Sequence, residues 1–170
     1  SLGPSVSHTA YAAAKFAVKG FTEALITDLR LNAPHIKCSV VMPGHIGTAI
    51  VTNSRKIQAG HDSPDFTPKE LAQMRARVAS MGVDVSKLTD ADIGKLANER
   101  ARRFLEDAPT TAAEAAKIIL DGVKAERWRI LVGKDAEKID RMVREAPERA
   151  YDADFFETLA KEVGWKLGAN

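Results

Sequence analysis

One cysteine in 170 residues, Cys38, excludes an internal disulfide and makes a reducing compartment, the cytosol, the expected setting. Aromatic residues make up only 6% of the chain, and no stretch approaches the roughly 18 uninterrupted apolar residues of a membrane-crossing helix. The opening SLGPSVSHTA lacks the basic lead and apolar core of a signal peptide, so no membrane partner is expected. Charge of one sign is missing too. The 25 Lys and Arg are interleaved with 23 Asp and Glu, and a net +2 offers no basic face to nucleic acid. The glycines are scattered, and none forms the Gly-x-Gly-x-x-Gly turn that cradles a pyrophosphate at a helix N-terminus. His8, His35 and His61 make no ligand-spaced cluster with acids or Cys38, so no metal site is expected.

What is present is the 45% hydrophobic, 28% charged composition of an ordinary globular protein, long enough for one domain with a substantial core. The first residue is Ser rather than Met, and sequence upstream of it is expected. Apolar positions at Ala13, Phe16, Ala17, Phe21, Ala24, Leu25 and Leu29 recur at helical spacing and predict a long, mostly buried helix to about Leu31. Asn32-Ala33-Pro34 stops it, and IKCSVVM predicts a strand buried on both faces, as in a parallel sheet, ended by Pro43-Gly44.

Residues 49–108 change character, being charged and poor in long apolar runs. Thr67-Pro68-Lys69-Glu70 reads as a capping box with proline at the first helical position, predicting a helix to about Ser80; a second is expected from Thr89 to Glu106. Their Leu71, Met74, Met81, Leu88, Ile93 and Phe104 suit either an apolar roof over a substrate or plain helix packing. Thr111-Ala112-Ala113-Glu114 opens another capped helix, WRILV from Trp128 to Val132 reads as a second buried strand, and helices are expected around Asp135 to Arg144 and in the tail through Phe155, Phe156, Leu159 and Val163. Helix, strand, helical excursion, helix, strand is the alternation of an α/β protein with a parallel sheet, and two strands alone leave edges to be satisfied by more sheet.

Within AYAAAKFAVKGF, Tyr11 and Lys15 stand four positions apart on one helix face, one above the other. Taken alone the pair serves packing as readily as chemistry. The strand after that helix ends in PGHIGT, Pro43 to Thr48, which by itself is also a plain turn with a capping threonine. Together, Tyr11-Ala-Ala-Ala-Lys15 at the start of a long helix and Pro43-Gly44-His-Ile-Gly-Thr48 after the next strand resemble the C-terminal half of a short-chain dehydrogenase/reductase. The resemblance covers about 1–50 by motif and 108–145 by pattern.

That resemblance implies an α/β fold, the C-terminal half of a Rossmann-like doubly wound parallel sheet over 1–150, with 49–108 as a helical substrate-loop insertion and 151–170 as a tail helix. It implies Tyr11 as general acid/base, and Lys15 as the charge that tunes it and binds the nicotinamide ribose. Pro43 and Gly44 would line the nicotinamide, the Ile46 backbone would meet its carboxamide, and Thr48 would add a hydroxyl. The cofactor is NAD or NADP, the substrate a small carbonyl or alcohol, and a homodimer or homotetramer is implied. The family's catalytic serine falls upstream of Ser1; Ser5 and Ser7 are too close to Tyr11 to replace it. The physical rationale is that a free phenol titrates near pH 10, far from neutrality. An ammonium ~4 Å away, at an effective dielectric of ~20, favours the phenolate by about 4 kcal/mol. The alternative expectation is a truncated, non-catalytic chain kept for assembly.

Overall fold

A computed structural model describes residues 9–80, 82–152 and 154–163, apart from the Phe156 side chain. Ser5, Ser7, His8, Met81 and residues 164–170 of the expected tail lie outside it. In chain order the elements are α1 (Thr9–Asn32), β1 (Val40–Pro43), β2 (Ile46–Gly47), α2 (Ile50–Ala59), α3 (Pro68–Ser80), α4 (Asp90–Glu106), β3 (Thr110–Thr111), α5 (Ala112–Lys124), β4 (Arg129–Val132), α6 (Lys134–Glu145), a 3-10 turn (Pro147–Tyr151) and α7 (Phe155–Val163). They divide into two compact bodies, Ser1–Ile46 with Ala108–Asn170, and Gly47–Asp107.

The first body is built on a parallel pair. β1 and β4 lie in register with Val40 opposite Arg129, Val41 opposite Ile130, Met42 opposite Leu131 and Pro43 opposite Val132. Because side chains alternate across a sheet, Met42 and Arg129 share one face while Ile130 and Val132 share the other. The second face is covered by α5: Ile130 and Val132 pack with Ala115, Ile118, Ile119 and Ile46. Phe16 and Lys19 of α1 and Asp140 and Arg144 of α6 line a cleft with Met42 and Arg129, so helices flank the pair on both sides. That is the layering of a parallel α/β sheet.

The strand at IKCSVVM is shorter than its apolar run and is not buried on both faces. Pairing begins only where β4 begins, and burial alternates, with Val40 and Met42 inside and Val41 and Pro43 exposed. The long first helix also differs from expectation. No residue of α1 is buried, and Phe16, Val18, Phe21 and Leu31 are exposed. A helical apolar stripe records which face wants a partner, and here its later residues Leu25 and Leu29 are half-buried while Phe16 and Phe21 stay exposed.

α5 approaches β4 more closely than any residue with a Cβ allows at one point. A methyl on Gly122 would sit 2.6 Å from Ile130 Cδ1 and 2.8 Å from Cγ1. Gly122→Ala is expected to destabilise the protein by about 1–3 kcal/mol, read as a lowered urea midpoint, because the gain in helix propensity is smaller than the cost of overpacking. An unchanged midpoint would mean that α5 shifts outward freely. At the far end α7 folds back on α6: Phe155 and Leu159 pack with Ile139 and Ala150, flanked by Met142, Val143 and Val163.

The second body is helical, α4 packing on both α2 and α3, with Ile93 at its centre and only 1% exposed. Leu71, Met74, Leu88 and Phe104 are half-buried. Two arginines tie down its loops. Arg55 donates to the Ser63 and Asp65 carbonyls at 3.0 and 2.6 Å and to Glu70 Oε1 at 2.8 Å, with its guanidinium 4.1 Å from the Phe66 ring centroid. Arg75 donates to the Val85 and Leu88 carbonyls and to Asp90. The expected capping box opens α3, where the Thr67 N–H donates to Glu70, and a second one, not read from the sequence, opens α4, where the Thr89 N–H donates to Asp92.

Hydrogen bonds from Arg55 and then from the Thr67 backbone lower Glu70 from 4.5 to about 2. A carboxylate whose folded value lies below its unfolded one adds stability above the unfolded value and loses it as pH falls through the folded one. Acid titration should therefore destabilise this body between about pH 4.5 and 2, and Glu70→Gln should flatten that part of the curve of urea midpoint against pH. Identical curves for the two proteins would contradict the assignment.

Candidate active site

α1 carries Tyr11 and Lys15 on one face, and the Lys15 Nζ lies over the Tyr11 ring, 5.3 Å from its centroid. The two groups therefore share one environment, in a cation–π contact. Tyr11 is 59% exposed and Lys15 is exposed as well. Strong electrostatic tuning needs water excluded, so an element covering the first turns of α1 would be required to deliver it.

The direction of α1 brings this pair toward the right end of the sheet. Phe16 and Lys19 share a cleft of about 390 Å³ with Met42, whereas Ile26 and Leu29 share another of about 210 Å³ with Ile36, Cys38 and Trp128 before the strands begin. α1 thus runs antiparallel to β1, and its first turns lie toward the strand's carboxyl end, where open α/β sheets bind ligands. Tyr11 and Lys15 line neither cleft.

Pro43 closes β1 and is exposed; Gly44 follows, its N–H donating to the Val132 carbonyl at 3.0 Å and continuing the ladder beyond the strand. Ile46 is half-buried under α5. Thr48 belongs to the second body, just before α2. His45, whose loop position suggests a passive surface residue, is instead 6% exposed, and its backbone N–H donates to Asp135 Oδ2 at 2.6 Å.

Asp135 is the residue that sequence reasoning missed. It lies in the first turn of α6, 2% exposed, 90 positions from its loop partner. The bareness of Gly44 serves this carboxylate: a Cβ there would fall 2.2 to 2.4 Å from the Asp135 carboxyl atoms. Gly133, at φ +101°, is bare for the same reason, its Cβ position lying 2.5 Å from Asp135 Oδ1 and 2.8 Å from Thr110 Oγ1. An acid in a helix's first turn two residues after a glycine is the signal available in sequence, and it is a weak one.

Among the described residues, the groups of α1 fit the nicotinamide end of a dinucleotide. A solvent-facing phenol and ammonium suit a reacting oxygen and ribose hydroxyls, while the sequence has no glycine-rich turn for a pyrophosphate. Among the described residues no group of three His, Cys, Asp or Glu gathers to hold a metal, and no helix is long and apolar enough to cross a membrane.

Comparison with known proteins agrees with the motifs. The family described as short chain dehydrogenase matches residues 1–59. "Putative oxidoreductase SadH" of Mycobacterium tuberculosis, in strains CDC 1551 and H37Rv, is 30% identical over 136 residues, 80% of this chain and 37% of that protein. The chain thus spans little more than a third of the length of these relatives. No solved structure matches. With its Tyr-x-x-x-Lys helix and Pro-Gly loop inside the matched residues, the chain belongs to the short-chain dehydrogenase/reductase family.

Proposed function

We propose that the protein is an NAD(P)-dependent oxidoreductase of the short-chain type, acting on a small carbonyl or alcohol. In this reading it forms the C-terminal half of a Rossmann-like sheet and works with a dinucleotide-binding segment that 1–170 does not contain. The observation carrying the proposal is the Lys15 ammonium over the Tyr11 ring on the first turns of α1, a helix whose start runs toward the carboxyl end of β1.

A bound nicotinamide supplies or accepts hydride. Tyr11 holds the proton at its phenolic oxygen and exchanges it with the substrate oxygen. Lys15 favours the phenolate and meets ribose hydroxyls. Pro43, Gly44 and the Ile46 backbone form the wall beside the ring, and Thr48 adds a hydroxyl. Oxidation of NADH or NADPH followed at 340 nm over a panel of aldehydes and ketones tests this, using the assembly that the protein forms in cells; alcohol formed in step with cofactor consumed is expected.

The exposed apolar residues of α1, with Leu120 and Val123 of α5, favour a second reading, a non-catalytic chain kept for assembly as a homodimer or homotetramer. A stable oligomer that consumes no cofactor with any carbonyl would favour it over the first.

A further inference from the structure

We propose that Asp135 is a positioning residue that fixes the Gly44–Ile46 backbone and, through it, the wall beside the nicotinamide. The second half of this proposal rests on the functional reading above. β1 ends at Pro43 and β2 pairs with β3 from Ile46 onward, and two anchors from distant sequence hold the backbone between them. One is the Val132 carbonyl, which accepts from Gly44 N–H; the other is the Asp135 carboxylate, which accepts from His45 N–H at 2.6 Å and from Ala136 N–H at 3.0 Å. A hydrogen bond to a buried carboxylate is shorter and stronger than one between neutral groups. The first turn of α6 is a favourable place to bury it, because the helix dipole presents positive potential there.

The packing leaves no slack. Gly44 and Gly133 lie so close to the carboxyl group that a methyl on either would overlap it. Displacing the loop therefore requires breaking the His45 bond, and the acid and the loop backbone move as one unit. A purely structural acid would hold α6 in place without governing the accessibility of the loop amides. A positioning residue governs both the loop and whatever the loop touches.

Asp135→Asn, nearly isosteric, and Asp135→Ala are the variants, studied in the native assembly. For Asp135→Asn, amide exchange at Gly44, His45 and Ile46 should rise about tenfold, with β4 and α1 amides unchanged and the cofactor KM raised about tenfold. Asp135→Ala should exceed both. Loop exchange equal to wild type in a folded Asp135→Asn protein would overturn the clamp. Faster exchange with an unchanged cofactor KM would overturn its link to the nicotinamide. Should the wild type bind neither NADH nor NADPH, the functional reading fails, and the exchange measurement alone still decides whether Asp135 holds the loop.

Discussion

Tyr11→Phe is expected to cut turnover by about a thousandfold while leaving cofactor affinity within about twofold of wild type. The substitution removes one oxygen and keeps the ring, so the contact with Lys15 over the ring face survives and α1 loses no packing; its residues are not buried in any case. What disappears is the hydroxyl to which the proposed function assigns proton exchange at the reacting oxygen. Positioned acid–base groups contribute typically 10²–10⁴-fold, and loss within that range, carried by kcat, is the signature of an interaction made in the transition state. A variant that loses affinity and rate together would point to a binding role for the phenol. One retaining full rate would remove it from the mechanism.

The second large effect is on stability. Asp140 is buried on α6 between Arg129, with which it forms a salt bridge, and Arg144, whose Nε lies 3.1 Å away. Arg129 is 16% exposed, and burial, followed by the neighbouring Arg144, pushes its pKa down. Asp140→Ala leaves that guanidinium in the wall of the cleft without its counter-charge, which should cost about 3 kcal/mol and lower Tm by roughly 10 °C. The paired replacement Arg129→Met with Asp140→Leu removes both charges together and should return to within about 1 kcal/mol of wild type, since a well-packed apolar pair commonly matches a buried ion pair. Arg144, more than half exposed, keeps its hydration in either protein. Equal losses in the single and double variants would show that the three groups do not act as a unit.

Local chemistry was the readable part of the fold. The boxes at Thr67/Glu70 and Thr111/Glu114 are visible because cap and partner stand three residues apart, and both form. α2 gives no such sign: its N-cap is Ala49 without a side-chain bond, its first turn has no acid, and it buries nothing. Strand lengths were overestimated because an apolar run marks what can pair, while β1 extends only as far as β4 runs beside it. The buried character expected of α1 came from periodicity, which cannot report whether a partner is present.

The candidate site divides along the same line. Tyr11 and Lys15 are legible because helical spacing alone brings them together. Gly44 is recognisable as a position that tolerates no side chain, and a close cofactor is the reason the sequence offers. The atoms that forbid a Cβ belong to Asp135, and a contact across 90 positions leaves no local trace. The burial of His45 leaves no local trace either, because it comes from elements far along the chain.

The central claim is that the phenol and ammonium of α1 serve a nicotinamide. Titration of NADH and NADPH into the wild-type assembly and into Lys15→Met, followed by nicotinamide fluorescence, tests it most directly. Saturable binding of at least one cofactor by wild type is expected, weakened about tenfold or more in Lys15→Met. Failure of both cofactors to bind, or equal binding by the two proteins, would contradict it.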